Sequence, residues 1–164
     1  MTKKVFSVLV ENEAGVLSRV SGLFSRRNYN IDSLTVGVTE DPSVSRITVV
    51  ASGEPETLEQ IKKQVAKLED VISVKELPAE TSVSRELLLV RVAAEPEERP
   101  QVISVANIFR GNIVDVADHS MLIEMTGSQE KLSAWVRLLS QFKVLELSRT
   151  GVTSLSRGSA LEEE

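Results

Sequence analysis

The residues of this chain best suited to bind a small molecule lie in a short turn, 12–15, between an apolar strand and an amphipathic helix. The first backbone N–H groups of a helix lack helical partners and lie at the positive end of its dipole. Gly15 allows a ligand to approach the backbone closely, and the Asn12 amide can both donate and accept hydrogen bonds. The turn therefore predicts a site for the carboxylate of a small ligand, held by N–H groups near Gly15, Val16 and Leu17.

A purely structural role for the same turn stays open. Asn is a common helix cap, so Asn12 could accept a hydrogen bond from the first helical turn, and Gly15 could serve only to let the chain turn. Spacing alone does not separate these two interpretations, because a motif needs its structural context.

Residue types that carry catalysis are scarce in this chain. There is no Cys and a single His, His119. A Ser-His-Asp triad would depend on His119, and no glycine-framed serine accompanies it. His119 follows Asp118 in a predicted hairpin, but one His is not a cluster of metal ligands. We therefore expect a protein with no catalytic or metal site of its own.

Composition and charge narrow the class of protein further. The chain has 164 residues, of which 41% are hydrophobic and 26% charged, and its net charge is −5. The negative charge and an aromatic content of 4% argue against a nucleic-acid-binding sheet, which needs basic flanks and exposed aromatic side chains. We find neither a secretory signal nor an apolar run near the roughly 20 residues of a membrane span, and expect a cytoplasmic protein, or the mature form of an organellar one, that contacts no membrane.

Hydrophobic periodicity predicts two successive βαββαβ units. In the first, the strands are 4–10, 31–39, 45–51 and 71–76, and the helices begin near Gly15 and at Pro55, since proline fits a first helical turn. In the second, the strands are 86–93, 113–116, 121–125 and 144–147, with helices around 102–109 and 132–139.

The predicted fold is therefore α+β, with two ferredoxin-like units in tandem. We place the first domain at 1–78, a linker at 79–84, and a second domain with a flexible tail at 85–164. Both helices of such a unit lie on one face of its sheet, so the other face and the edge strands need cover. Pairing of two copies through a sheet edge would supply it, which predicts a homodimer.

Several segments resemble one known family. Residues 12–27 and 29–36 resemble an ACT domain, and more specifically the regulatory (small) subunit of acetolactate synthase, also called acetohydroxyacid synthase. Residues 109–116, 149–152 and 155–158 extend the resemblance over nearly the whole chain. One departure is Asn28, where the family more often has Gly. Asn tolerates positive φ, so we expect the turn there to be kept.

The resemblance implies a regulatory subunit without a catalytic centre. Its partner would be a separate catalytic subunit that uses thiamine diphosphate, magnesium and FAD to condense pyruvate with a second 2-ketoacid. This chain would carry none of those cofactors. It would activate the catalytic subunit and confer feedback inhibition by valine or a related branched-chain amino acid.

The resemblance also places the effector at the interface of two ACT domains. The residues that match the family's effector site are Asn12, Ala14, Gly15, Val16, Leu17, Asn30, Ile31 and Val36. Among these, Asn30 is expected to come from the partner subunit. A ligand that bridges two subunits favours one arrangement of the dimer over another, which is a physical basis for regulation.

Two other functions stay open from the residues alone. A free-standing ACT sensor of amino acids with a different client protein would share the turn, and an RNA-binding module would share the order of elements. Elsewhere, Trp135 lies in a helical apolar stripe and is predicted to be core. Arg110 and Gly111 are predicted to end a helix, with glycine as the cap. Arg149 and Arg157 are either anchors on the catalytic subunit or surface charges.

Overall fold

In the computed structural model, which describes residues 1–160, the chain forms two compact units. The first comprises residues 1–84 and the segment that begins at Val152. Its elements are β1 (Thr2–Glu11), α1 (Val16–Arg26), β2 (Asn30–Val38), β3 (Val44–Gly53), α2 (Pro55–Ala66) and β4 (Val71–Glu76). The strands form an antiparallel sheet in the order β2-β3-β1-β4, which confirms the predicted fold class.

Alternation along β1 decides which face of this sheet is buried. Phe6 pairs with Val49 of β3, and Val8 pairs with Ile47. All four are buried, because residues opposite one another on antiparallel strands lie on the same face. The helices pack on this face and complete the core with Val16, Val20, Leu23, Phe24, Leu58, Ile61 and Val65.

The second unit, residues 85–151, repeats this architecture. The elements of the second half of the chain are β5 (Ser82–Ala93), α3 (Arg99–Ile108), β6 (Asn112–Val116), β7 (Ser120–Gly127), α4 (Gln129–Leu138), β8 (Val144–Arg149) and β9 (Thr153–Ser156). Four of the strands lie in the order β6-β7-β5-β8. Leu88, Val90 and Trp135 belong to its core. The predicted core position of Trp135 is confirmed, since none of its surface is exposed.

Arg149, at the end of β8, has a structural role that sequence did not predict. Its Nε donates to Glu86 Oε2 at 2.6 Å, its Nη1 to Ser133 Oγ at 3.3 Å, and its Nη2 to the Gln129 carbonyl at 3.3 Å. The Glu86 side chain is only 4% exposed. The alternative that Arg149 is merely a surface charge is therefore wrong, because the guanidinium neutralises a buried carboxylate within its own unit. That Arg149 anchors the tail on the catalytic subunit stays a prediction.

The C-terminal segment folds onto the first unit, where the predicted domain boundaries differ from the structure. The Val152 N–H donates to Ser33 Oγ at 2.7 Å, and the Val152 carbonyl accepts from Thr35 Oγ1 at 2.8 Å. The Ser84 hydroxyl donates to Ser154 Oγ at 2.9 Å. The described part of the predicted tail is thus ordered, because side-chain and backbone hydrogen bonds hold it. The last residues, 161–164, lie outside the described range.

The predicted linker, 79–84, is also part of the fold. Residues 79–81 form a 3₁₀ turn, and Ser82 already begins β5. The Arg157 N–H donates to the Thr81 carbonyl at 2.7 Å, which joins this turn to the C-terminal segment. No helix within residues 1–160 has the length and apolar character needed to cross a lipid bilayer.

Two helix ends show why glycine is not always the residue with positive φ. Asn28 ends α1 with φ 55°, as predicted. After α3, however, Arg110 takes φ 58° and Gly111 does not have positive φ, so the predicted glycine cap is wrong. A Cβ on Gly111 would lie 2.9 Å from Met125 Cε and 3.2 Å from the Glu124 carbonyl. Gly111 is therefore required for close packing of the chain.

Candidate functional site

The turn after β1 is fixed by the hairpin that joins β2 to β3. The Asn12 N–H donates to the Ser43 carbonyl at 2.8 Å, and Asn12 Nδ2 donates to the Pro42 carbonyl at 2.9 Å. The side chain of Asn12 is exposed, and among the described residues no group donates to its Oδ1. Asn12 therefore holds two neighbouring loops together and keeps one acceptor for a ligand.

Gly15 occupies a backbone conformation that other residues avoid. Its φ is 86° and ψ −9°, and it is the N-cap residue of α1. A Cβ at this position would lie 3.0 Å from Arg19 Nη1. Any other side chain would therefore be strained in conformation and would crowd the guanidinium.

The first turn of α1 presents backbone donors to solvent. Within residues 1–160, the N–H groups of Gly15, Leu17 and Ser18 have no acceptor, and that of Val16 reaches the Glu13 carbonyl only at 3.5 Å. The first intrahelical bond of normal length runs from the Arg19 N–H to the Gly15 carbonyl, at 3.0 Å. Unpaired donors at a helix N-terminus form an anion-binding arrangement.

The Arg19 guanidinium adds positive charge beside these donors. Its Nε donates to Asp70 Oδ2 at 2.5 Å, and this hydrogen bond raises the pKa of Arg19 above its ordinary value. The first turn of α1 contains no acidic residue. A carboxylate at this turn would therefore meet the positive end of the helix dipole, beside an Arg19 that already pairs with Asp70 and is influenced by Glu13.

One of the two structural roles considered for this turn does not occur. The side chain of Asn12 makes no capping bond to α1, since Gly15 is the N-cap residue and no side chain caps it. The other role is real, because Gly15 does supply the left-handed conformation. That role is compatible with ligand binding and does not compete with it.

The apolar residues predicted for the site are exposed to different degrees. Leu17 is 43% exposed and Val36 47%, so both offer surface to an aliphatic side chain. Val16 is only 2% exposed and belongs to the core. Ile31 is half-buried against the same core, whereas Ala14 is exposed.

Asn30 lies at the opposite end of the sheet from the turn. It pairs with Ser52 at one end of β3, whereas Val38 pairs with Ser45 at the other end, beside the hairpin that Asn12 contacts. Val38 lies eight positions after Asn30 along β2, which corresponds to about 26 Å at the usual rise of a strand. Within one chain, therefore, the structure does not bring Asn30 together with the turn.

Sequence reasoning missed two contributors to this region, Arg19 and the hairpin carbonyl of Pro42. Arg19 follows Gly15 by four residues, the spacing of neighbours on one helix face, so it could have been identified. The Pro42 carbonyl could not, because its proximity to Asn12 depends on the pairing of β1 with β3.

The second candidate site is weaker. His119 is 79% exposed, and its Nδ1 lies 3.0 Å from Glu95 Oε2, an exposed pair. Within residues 1–160, no three His, Cys, Asp or Glu side chains cluster closely enough to hold a metal ion.

Comparison with known proteins now gives the family. Residues 6–73 match the model of the AHAS small subunit-like ACT domain, and residues 85–158 match that of the small subunit of acetolactate synthase. The chain belongs to the acetolactate synthase small-subunit family. Members of this family are named as the small subunit and not as the catalytic one, so the expectation of a non-catalytic, regulatory chain is confirmed.

Individual relatives of the family cover nearly the whole chain. A probable acetolactate synthase small subunit of Archaeoglobus fulgidus is 49% identical over 157 residues, 96% of this chain and 98% of that protein. The acetolactate synthase small subunit of Mycolicibacterium smegmatis is 51% identical over 152 residues, 93% and 89% of the two chains. The crystal structure of the small subunit from Thermotoga maritima matches with a TM-score of 0.90 at 38% identity, covering 96% and 98%.

Proposed function

We propose that this chain binds the catalytic subunit of acetolactate synthase, raises its activity, and makes it sensitive to valine or a related branched-chain amino acid. The catalytic partner carries the thiamine diphosphate, magnesium and FAD, and the complex acts in the cytoplasm. The observation that carries the effector part of the proposal is the unpaired set of N–H groups at Gly15, Leu17 and Ser18, beside the cation of Arg19.

The exposed edge of the first sheet supports a homodimer. β2 is an edge strand, and its Val36 and Val38 are 47% and 60% exposed. An apolar edge strand with unpaired backbone groups favours pairing with another strand. Two β2 strands paired antiparallel about Leu34 place Asn30 of the partner subunit beside Val38, at the end of the sheet where the turn lies.

This pairing gives each chemical group of the effector a partner. The carboxylate binds the N–H groups of Leu17 and Ser18, near Arg19. The ammonium group donates to Asn12 Oδ1 and to Asn30 of the partner subunit. The branched side chain packs on exposed Leu17 and Val36. Such a ligand contacts both subunits, so it stabilises one dimer arrangement relative to others.

The first unit supplies most of the contact with the catalytic subunit in this proposal. A rearrangement of the β2 edge on effector binding is then transmitted directly to the surface that activates the enzyme. Because only differential affinity for two arrangements can shift their populations, the effector must bind the less active arrangement more tightly.

A calorimetric titration of the full chain with valine tests the effector site, with leucine, isoleucine and alanine as comparators. We expect the branched ligands to bind more tightly than alanine. Discrimination among the branched ligands is expected to be small, because one methylene in an apolar pocket contributes only about 1–3 kcal/mol. Equal binding of alanine and valine would contradict the apolar pocket.

The catalytic partner is tested separately, by adding the chain to purified acetolactate synthase catalytic subunit and measuring acetolactate formation. We expect higher activity on addition of the chain and inhibition when valine is then added. Activation without valine sensitivity would contradict the effector site alone, whereas no activation would contradict the assignment of the catalytic partner.

A further inference from the structure

The guanidinium of Arg19 lies beside Gly15, the residue that begins the proposed effector site. A Cβ on Gly15 would lie 3.0 Å from Arg19 Nη1 and 3.8 Å from its Cζ. Long side chains of a helix point back toward its N-terminus, which is why a residue four positions later reaches Gly15. The guanidinium therefore borders the turn that presents the N–H groups of Leu17 and Ser18, which have no acceptor within residues 1–160.

Arg19 keeps unused donors in addition to its ion pair. A guanidinium carries five N–H donors, and Nε uses one of them on Asp70 Oδ2, at 2.5 Å. Among the described residues, no acceptor receives a hydrogen bond from Nη1 or Nη2 of Arg19. The side chain is 52% exposed, so these two nitrogens are accessible to a ligand, in the fork geometry that matches a carboxylate.

Asp70 is built into the fold at the position that fixes this guanidinium. Its side chain is only 18% exposed, and it directly precedes β4. Its backbone carbonyl accepts a hydrogen bond from the Glu11 N–H at 3.0 Å, which attaches Asp70 to the end of β1. The carboxylate that holds Nε is therefore itself held in place. A long side chain fixed in this way loses its rotational freedom before a ligand binds.

The charges around Arg19 make its orientation decisive. The hydrogen bond to Asp70 is the main reason why the pKa of Arg19 is raised above its ordinary value, and the charge of Asp70 adds to it. The carboxylates of Glu13 and Glu69 act on the guanidinium in the same direction. With three carboxylates around one cation, the net charge opposes a bare anion. A ligand carboxylate is therefore held here only by donors directed at it at short range.

We propose that Arg19 binds the carboxylate of the amino-acid effector through Nη1 and Nη2, and that Asp70 is the positioning residue that orients Arg19 for this contact. The inference rests on the proposed function, because it assigns roles within that same effector site. It adds one side-chain donor group to the backbone N–H groups of the turn. Asp70 contacts no part of the ligand and acts only through Arg19.

Calorimetric titration of the full chain with valine and with valinamide tests the role of Arg19. Valinamide keeps the ammonium group and the branched side chain but lacks the carboxylate, so the ratio of the two affinities reports the carboxylate contact. We expect the unmodified chain to bind valine at least about tenfold more tightly than valinamide. Arg19→Gln should weaken valine binding about tenfold and change valinamide binding less than about twofold. A variant that fails to fold would lose both ligands, so a selective loss of valine binding does not arise from unfolding.

Arg26→Gln is the matched control for the loss of a cation from α1. Arg26 is exposed and lies in the last turn of the same helix, about 10 Å from Arg19 along the axis at the usual helical rise. Valine affinity should change less than about twofold in this variant, within the small effect of a distant surface charge. Equal weakening by Arg19→Gln and Arg26→Gln would show a general effect of charge on the helix and overturn the proposal.

The positioning role of Asp70 is tested by two substitutions at that residue. Asp70→Ala releases Arg19 and should weaken valine binding about fivefold, with valinamide binding unchanged, because an oriented hydrogen-bond donor is lost. Asp70→Asn should retain most of the affinity, since the amide oxygen still accepts a hydrogen bond from Nε. Tighter valine binding by Asp70→Ala would show that Asp70 competes with the ligand for Arg19, and would overturn the positioning role.

Glu69→Ala is the matched control for Asp70→Ala. It removes the same charge from the neighbouring residue, which acts on Arg19 through its charge alone, so valine binding should not weaken. Equal weakening by Glu69→Ala and Asp70→Ala would contradict a role that depends on the hydrogen bond to Nε.

The same titrations separate this inference from the proposed function. If the unmodified chain binds valine and Arg19→Gln binds it equally tightly, the roles assigned to Arg19 and Asp70 are wrong while the proposed function stands. If the unmodified chain binds no branched-chain amino acid, the proposed effector function is wrong, and the roles of Arg19 and Asp70 are wrong with it.

Discussion

The two units share one architecture but differ at the turn that follows their first strand. In the first unit the Asn12 N–H donates to the Ser43 carbonyl of the following hairpin, at 2.8 Å. In the second unit the Ala94 N–H donates to the His119 carbonyl of the corresponding hairpin, at 2.9 Å. The scaffold is thus the same at both turns. What differs is whether the helix that follows has unpaired donors.

In the second unit the chain occupies those donors itself. Glu98 Oε2 accepts from the Glu95 N–H at 2.9 Å, and the Glu95 carbonyl accepts from Glu98 and Arg99 N–H groups at 2.9 and 3.2 Å. The exposed carboxylates of Glu95, Glu97 and Glu98 make this turn acidic. It would repel the carboxylate that we propose binds at the first turn. The proposed site therefore depends on local residues and not on the fold.

A second difference concerns an ion pair at the end of each sheet. Lys4 of β1 pairs with Glu76 of β4 at 2.9 Å, and both side chains are more than a quarter exposed. Glu86 of β5 and Arg149 of β8 occupy the corresponding positions with the signs reversed, and Glu86 is almost fully buried. Burial makes the second pair far more sensitive to loss of one partner.

The largest expected effect follows from this ion-pair difference. Arg149→Ala leaves Glu86 buried without its cation, and is expected to lower the free energy of unfolding of the second unit by about 3–5 kcal/mol. Lys4→Ala, its matched control in the first unit, should cost less than about 1 kcal/mol, because that pair is solvated. Denaturant unfolding monitored by Trp135 fluorescence measures the first variant, and circular dichroism measures the second. If both variants lose a similar free energy of unfolding, the proposed difference between the buried and the exposed ion pair is wrong.

Ending the chain at Gly151 tests how much the C-terminal segment, which begins at Val152, stabilises the first unit. This truncation removes the buried side chain of Val152 and its bonds to Ser33 and Thr35. The expected loss is about 3 kcal/mol in the first unit, from one buried aliphatic side chain and two hydrogen bonds.

The two units can be monitored separately in this truncation. Tyr29, the only Tyr, packs against the core of the first unit, and Trp135, the only Trp, is buried in the second. We expect the transition seen by Tyr29 to move and that seen by Trp135 to stay. A chain ending at Arg157 keeps β9 and serves as the control. Unchanged unfolding of both truncated chains would show that β9 does not stabilise the first unit.

Most of the fold could be predicted because it depends on local periodicity. Both βαββαβ units and the start of α2 at Pro55 follow from apolar spacing and proline alone. β9 could not be predicted, since four residues with one buried side chain, Ser154, carry too weak a pattern. Its place is decided by pairing with β5 and by the bonds of the preceding residue, Val152, to Ser33 and Thr35, more than a hundred residues away. It also could not be predicted that Arg110, and not Gly111, has positive φ, because this depends on the packing of Gly111 against Met125.

The candidate site, too, has residues that could be predicted from local sequence and residues that depend on strand pairing. Gly15 was predictable because a glycine at the start of a helix has a local conformational reason. That Asn12 donates to Pro42 instead of capping α1 could not be predicted, because it depends on which strands pair. The large distance between Asn30 and the turn could not be predicted either, because it depends on the register of β2 against β3. Val16 was expected to offer a backbone N–H and also apolar contact, but its side chain is buried in the core.

A smaller effect is expected from placing a carboxylate in the first turn, which makes it resemble the second. Gly15→Asp should weaken valine binding at least about tenfold, because the new carboxylate lies where that of the ligand binds and strains a left-handed residue. Gly22→Asp, in the same helix with no atom near its missing Cβ, is the matched control and should retain binding. Calorimetry measures both. Tight valine binding by Gly15→Asp would place the effector elsewhere.

The smallest expected effect distinguishes two roles of Asn12, direct contact with the ligand and attachment of the hairpin. Asn12→Ala removes both the acceptor Oδ1 and the bond to Pro42, and should weaken valine binding by roughly fivefold, the net value of one hydrogen bond at a solvent-exposed side chain. Activation of the catalytic subunit should persist, because the rest of the first unit is unchanged.

Asp41→Ala is the variant that separates these roles, because it loosens the hairpin and leaves Asn12 intact. Asp41 Oδ1 accepts from the Ser43 hydroxyl at 2.7 Å and from its N–H at 2.9 Å, and these bonds lower the pKa of Asp41. The carboxylate is therefore ionised at neutral pH and orders the hairpin there. If Asp41→Ala weakens valine binding as much as Asn12→Ala does, Asn12 acts by positioning the hairpin. If only Asn12→Ala weakens it, the amide contacts the ligand directly, and the first turn differs from the second by a side chain as well as by its unpaired backbone.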